Sequence, residues 1–109
     1  HIRRIRMVYA ERKAYLSTLL SQAIPQLHLL SSDQGMHVVA MLPPYTDDVA
    51  IVATARAHGI ALRAISTMCV GQAHLSGLMF GFGGFNHAQL QTAVSRLQPI
   101  INAALQHSA

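Results

Sequence analysis

Met36-His37-Val38-Val39-Ala40-Met41-Leu42-Pro43-Pro44 reads as a short, well-buried strand. Its β-branched and apolar side chains suit an enclosed pleated surface, and the two prolines close it. Before it, Ser31-Ser32-Asp33-Gln34-Gly35 is a polar turn, and Leu27 to Leu30 forms a shorter strand ahead of that turn. Further back, apolar residues recur at a helical period at Ile2, Ile5, Tyr9, Leu16 and Leu19 or Leu20. That spacing predicts a first helix reaching Ser21 or Gln22. Pro25 stops it, because the residue before a proline is pushed out of the α region.

On the other side of the prolines, Thr46 suits a helix N-cap, with Asp47 and Asp48 favourably set against the helix dipole in the first turn. The second helix is expected to turn Val49, Val52, Ala53 and Ala57 inward, and Gly59 fits the left-handed position beyond its end. Ile60 to Ile65 is the next strand. A polar, glycine-containing loop from Ser66 to Gly77 leads to a strand at Leu78 to Phe82, which Gly83-Gly84 breaks. Asn86, with Gln89 three residues on, makes a capping box. The final helix buries Leu90, Val94, Leu97 and Ile101, and Pro99 removes the bond to Ser95 and is expected to kink or split it. The order α-β-β-α-β-β-α predicts an α+β two-layer sandwich of one domain, with about four strands in a largely antiparallel or mixed sheet.

The composition bears on partners. The chain has 109 residues, of which 51% are hydrophobic and 11% charged. So apolar a chain of this size is expected to pack part of its surface on another domain or subunit. Arg3, Arg4, Arg6, Arg12 and Lys13 face one acid, Glu11, whereas Arg56, Arg63 and Arg96 balance Asp33, Asp47 and Asp48, so the net charge of +4 belongs to the first helix. That helix starts without a cap, as in a piece of a larger protein. Its charge lacks interleaved aromatic residues, which favours a solvated or interdomain face over a nucleic-acid platform. No apolar run approaches the roughly 20 residues of a membrane span. The lone Cys69 excludes an internal disulfide and fits a reducing, cytoplasmic setting.

Chemistry is sparse. Among seven histidines none forms a helical i, i+4 pair, and Cys69 has no neighbour at ligand spacing. His28 and His37 lie on different strands and could approach each other, but no third ligand accompanies them. No metal is expected. Gly81-Phe82-Gly83-Gly84 sits where a phosphate loop would, yet Asn86 occupies the third glycine position of a dinucleotide fingerprint, and a strand-end turn is the simpler reading. Asp47 and Asp48 are adjacent on a helix and point different ways, a poor acid–base pair. Lys13 is the only lysine and lies among charges, where it stays hydrated. No catalytic residue is assigned, and nothing here performs a reaction unaided.

Four segments in order carry a family resemblance. His1-Ile2-Arg3-Arg4-Ile5-Arg6-Met7-Val8-Tyr9, with Arg12 following, resembles the "H-I-R-R-M-R-x-x-Y-x-x-R" helix of MocR-type regulators of the GntR family. Gly35-Met36-His37-Val38-Val39-Ala40-Met41-Leu42-Pro43 resembles their "G-L-H-L-V-x-x-L-P" strand. Ala57-His58-Gly59-Ile60-Ala61-Leu62-Arg63-Ala64-Ile65-Ser66 is similar to "A-x-x-x-G-V-x-V-x-P-L-S", and Leu78-Met79-Phe80-Gly81-Phe82-Gly83 to "L-L-L-G-F-A".

The resemblance implies the C-terminal small subdomain of an aminotransferase-like, fold type I effector domain in a DNA-binding transcription regulator. It implies pyridoxal phosphate on a lysine of a large subdomain outside this chain, a homodimeric parent, DNA contacted only through a separate N-terminal domain, and a small effector of amino-acid-like character. Ala64 replaces the family's usual proline, and Met68-Cys69 replaces an aromatic pair. Catalytic aminotransferases resemble "R-L-S-F" where this chain has Met79-Phe80-Gly81-Phe82, so their carboxylate-gripping arginine has no counterpart. Arg63 is the candidate effector-binding residue. On an apolar strand its guanidinium must either reach water or hold an acidic group. Two other functions stay open at this point: the small domain of an aminotransferase enzyme, and a free-standing basic module that binds nucleic acid through its first helix.

Overall fold

The computed structural model describes residues 2–30, 37–68, 75–82 and 84–107, with Ile2 and His107 described by backbone alone. The expected turn over 31–35, Cys69, Asp33 and Gly83 lie outside the described residues. Three helices and four strands follow in the expected order: α1 (Ile2–Ala23), β1 (His28–Leu30), β2 (His37–Met41), α2 (Asp48–Ala57), β3 (Leu62–Ala64), β4 (Gly77–Gly81) and α3 (His87–His107). A single 3-10 turn, Ile65–Thr67, follows β3.

The sheet runs β1-β2-β4-β3, and every described pairing is antiparallel. Because side chains alternate across a strand, the register separates two faces. Val38, Ala40, Leu62, Ala64, Leu78 and Phe80 are buried against the helices. On the second face the row that spans all four strands is Leu30–Val39–Met79–Arg63, whose members are half-buried or exposed. Two-layer packing leaves that face uncovered among the described residues. Gly77 sits where β4 crosses β2 most tightly: a Cβ there would lie 2.8 Å from the Ala40 carbonyl oxygen.

The helix layer holds Leu16, Leu20, Leu90, Val94, Leu97 and Ile101 against the sheet. Tyr9 meets Phe82 edge to face at 6.4 Å, and the Gln98 amide donates to the Ala23 carbonyl at 2.9 Å, which ties α1 to α3. The capping box is present: Gln89 N–H donates to Asn86 Oδ1 at 2.8 Å, and Asn86 N–H to Gln89 Oε1 at 2.9 Å. Pro99 does not split α3, which continues to His107. Ser95 and Pro99 are both exposed, so water can satisfy the carbonyl that proline leaves without its donor.

Four expectations need correction. Asp47, rather than Thr46, is the N-cap of α2, its side chain accepting from Ala50 N–H at 3.1 Å. The Thr46 hydroxyl donates instead to the Pro43 carbonyl at 2.6 Å. The inner face of α2 is therefore Asp48, Ile51 and Ala55, whereas Val49, Ala53 and Ala57 point outward and Val52 is half-buried. The cause is local: three donors draw the Asp48 carboxylate inward, as described below. β3 is also shorter than Ile60 to Ile65, since Ile60 N–H donates to the Ala55 carbonyl at 2.9 Å and so belongs to the end of α2. Finally, the apolar stripe of α1 is fully buried only from Leu16 onward: Tyr9 is half-buried and Ile5 is 40% exposed.

Candidate functional site

β3 is an edge strand in which Leu62 and Ala64 point inward and Arg63 outward. The Arg63 guanidinium makes no hydrogen bond or ion pair with the described residues. Arg63 lines a cavity of about 310 Å³ together with Arg56, Val49, Val52, Leu62 and Met68. Val49, Val52 and Arg56 are spaced i, i+3, i+7 and so form one stripe of α2 beside the edge strand. The structure thus brings a second arginine to Arg63. Sequence reasoning missed Arg56 because it turned Val49 and Val52 inward; the Asp47 cap, with its carboxylate three residues before Ala50, was the signal that resets that face.

The other candidates do not converge. His28 pairs with Met41 and His37 with Gly81, so the two histidines are four residues apart along the ladder, roughly 13 Å at strand rise. The approach that their separate strands left open does not occur. No group of three metal-ligating side chains is found among the described residues. Gly84 has φ +85° with open space around it, as a turn glycine does. Met79 pairs with Arg63 across β3 and β4.

Asp48 is the polar centre of this end of the molecule. It is 1% exposed. Oδ2 accepts from Ser66 N–H at 2.9 Å and Gly77 N–H at 3.0 Å, and Oδ1 accepts from the Ser66 hydroxyl. Beside it the buried Ser76 hydroxyl donates to the Thr46 carbonyl at 2.6 Å. This network holds Tyr45 at φ +66°, a conformation uncommon outside glycine, with its ring 77% exposed. Asp48 therefore fixes the start of α2, the turn after β3 and the start of β4 to one another. With three donors on its two oxygens it serves as an anchor.

A larger cavity, about 420 Å³, lies between the first half of α3 and the approach to β3. Phe80, Leu90, Val94 and Leu97 contribute its apolar wall. Arg96 on its rim reaches the His58 carbonyl only at 3.4 Å.

No family model matches the chain. It is 26% identical over 100 residues to the uncharacterized HTH-type transcriptional regulator YhdI of Bacillus subtilis, a match that covers 90% of this chain and 21% of that protein. The fold matches multiple substrate aminotransferase from Thermococcus profundus with a TM-score of 0.85 at 21% identity, over 98% of this chain and 27% of that one. It also matches LysN, the α-aminoadipate aminotransferase of Thermus thermophilus solved with N-(5'-phosphopyridoxyl)-L-leucine, with a TM-score of 0.83 at 17% identity over 95% and 27%. The chain thus spans about a fifth of the regulator and about a quarter of each enzyme. Its fold is like that of part of an aminotransferase, and its sequence resembles that of a helix-turn-helix transcriptional regulator.

Proposed function

We propose that this chain is the C-terminal small subdomain of the pyridoxal-phosphate-dependent, effector-sensing domain of a MocR-type regulator of the GntR family. One observation carries the reading: regulator-like sequence over 90% of the chain lies on an aminotransferase frame. By itself the segment performs no chemistry. Its residues do not fit the cofactor: the only lysine, Lys13, is half-buried on α1 and lines none of the cavities described above. The aldimine lysine and the phosphate site would belong to the rest of the parent, as would DNA binding. Arg63 is the residue assigned to the effector.

The exposed beginning of α1 supports an interdomain role. Ile5, Met7 and Val8 are exposed beside Arg3, Arg4 and Arg6, a surface suited to an apolar contact ringed by acids on the large subdomain or the second copy of a homodimer. A second reading, the small domain of an aminotransferase enzyme, draws on the structural neighbours, and the missing arginine around Met79 disfavours it.

The test compares the chain with its full-length parent. Incubated with pyridoxal phosphate and gel-filtered, this chain is expected to keep no Schiff-base absorbance, while the parent keeps it and binds a DNA operator. Cofactor retained by the chain after Lys13→Ala, or a parent without DNA binding, overturns the reading.

A further inference from the structure

We propose that the Arg56–Arg63 pocket binds a small dicarboxylate that carries no ammonium group. The inference rests on the assignment of Arg63 to an effector and departs from the amino-acid-like effector that the family resemblance implies. Either arginine alone is ordinary: Arg56 complements the carbonyl end of α2, and Arg63 reaches water from an edge strand. Their arrangement around one cavity carries more. The two arginines come from different elements and line the same space of about 310 Å³, with Val49, Val52, Leu62 and Met68 as its apolar surface. Neither guanidinium has a hydrogen-bonding or ionic partner among the described residues.

The charge balance sharpens the ligand class. Glu11 meets His87 Nε2 at 2.5 Å and Arg12 at 3.7 Å, Asp47 caps α2, and Asp48 is buried under three donors. Asp33 lies outside the described residues. No described acid therefore lines the pocket. Two planar forks suit two carboxylates, each held bidentately. A compact anion such as sulfate would meet the arginines but leave the apolar surface hydrated. An amino acid would bring its ammonium beside two guanidiniums with no acid to receive it, a like-charge contact that disfavours binding. The fitting ligand has two acidic groups on a short hydrocarbon body.

Glutarate and glutamate make a direct comparison because they differ by the ammonium group. In NMR titrations of this chain, glutarate is expected to give saturable shifts at the Met68, Val49 and Val52 methyls and at the Arg56 and Arg63 Nε–H groups. Its dissociation constant should be on the order of 1 mM. Glutamate should bind at least about tenfold more weakly, and Arg56→Gln and Arg63→Gln should each weaken glutarate by about tenfold, one charge-assisted fork being lost. Spectra of the free variants should match the parent chain away from the pocket, since both side chains are exposed. Shifts that never saturate, equal binding of sulfate or glutamate, or unchanged glutarate affinity in Arg63→Gln overturns the proposal. DNA binding and cofactor retention by the full-length protein do not depend on these results, so a failed pocket and a failed regulator reading are told apart.

Discussion

Replacing Asp48 tests whether one buried carboxylate holds this end of the molecule together. Asp48→Ala removes the acceptor for Ser66 N–H, the Ser66 hydroxyl and Gly77 N–H. The hydroxyl can rotate to another partner. The two backbone donors cannot, and Gly77 N–H is in a buried setting. An orphaned buried donor costs about 1–3 kcal/mol, so the alanine variant should lose about 2–5 kcal/mol, a large share of the roughly 5–15 kcal/mol typical of a domain. Asp48→Asn behaves differently. Both backbone donors converge on Oδ2, so an amide oxygen placed there keeps both, while its NH2 group takes the Oδ1 position and donates to the Ser66 oxygen. The asparagine variant should lose only about 1 kcal/mol, the difference between a charged and a neutral acceptor. Urea unfolding followed by circular dichroism measures both. The reasoning is refuted if Asp48→Ala unfolds within about 0.5 kcal/mol of the parent chain, or if Asn is as damaging as Ala.

Other substitutions probe separate features by the same assay. Gly77→Ala should cost more than about 2 kcal/mol, since its Cβ meets the backbone oxygen of Ala40 at 2.8 Å as well as Ile65 and Met41 side-chain atoms at 3.1 Å; Gly81→Ala, whose nearest neighbour is the His37 ring at 4.0 Å, should stay within about 0.5 kcal/mol. Gly59→Ala has room but must hold φ +81° and should lose about 1–2 kcal/mol; an unchanged midpoint would show that the turn relaxes. Asn86→Ala removes one half of the capping box and should lose about 1 kcal/mol, seen also as faster amide exchange in the first turn of α3.

Much of this fold is legible in sequence because its local signals agree with one another. Pro25, Pro43-Pro44 and the Asn86–Gln89 pair each mark a boundary by backbone chemistry alone, and the structure ends or begins elements there. Gly59 at φ +81° follows the same logic. The failures share another cause. Hydropathy places Val49 inward and Asp48 outward, yet Asp48 goes inward because Ser66 and Gly77, distant in sequence, supply donors that make its burial favourable. That exchange rotates α2 and sets Arg56 beside Arg63, a neighbourhood no local pattern announces. Whether His28 and His37 meet was open for a related reason: strand membership says nothing about register, and the ladder pairs His28 with Met41.

The two halves of α1 differ in what supports them, and this bears on the parent. From Leu16 to Leu20 the helix is locked into the core, with Ile24 just beyond its end also buried. Before Tyr9 the described side chains are exposed, including Ile5, Met7 and Val8. A helix of that length in isolation is marginal in water, so the first turns depend on the packed half for their nucleus and on Tyr9 against Phe82 for their tether. Arg3, Arg4 and Arg6 repel one another there without a described acid opposite them, and the sole nearby carboxylate, Glu11, is engaged by His87 and Arg12. An apolar strip flanked by unneutralised arginines gains stability only when a surface of matching shape and opposite charge covers it. DNA would satisfy the charges but leave Ile5 and Val8 in water, whereas an acidic, apolar-centred protein surface satisfies both. Arg3→Gln, Arg4→Gln and Arg6→Gln together in the full-length protein should therefore lower its thermal stability or dimerisation and leave operator affinity unchanged; a loss of operator affinity with a steep salt dependence would reverse the assignment of this face.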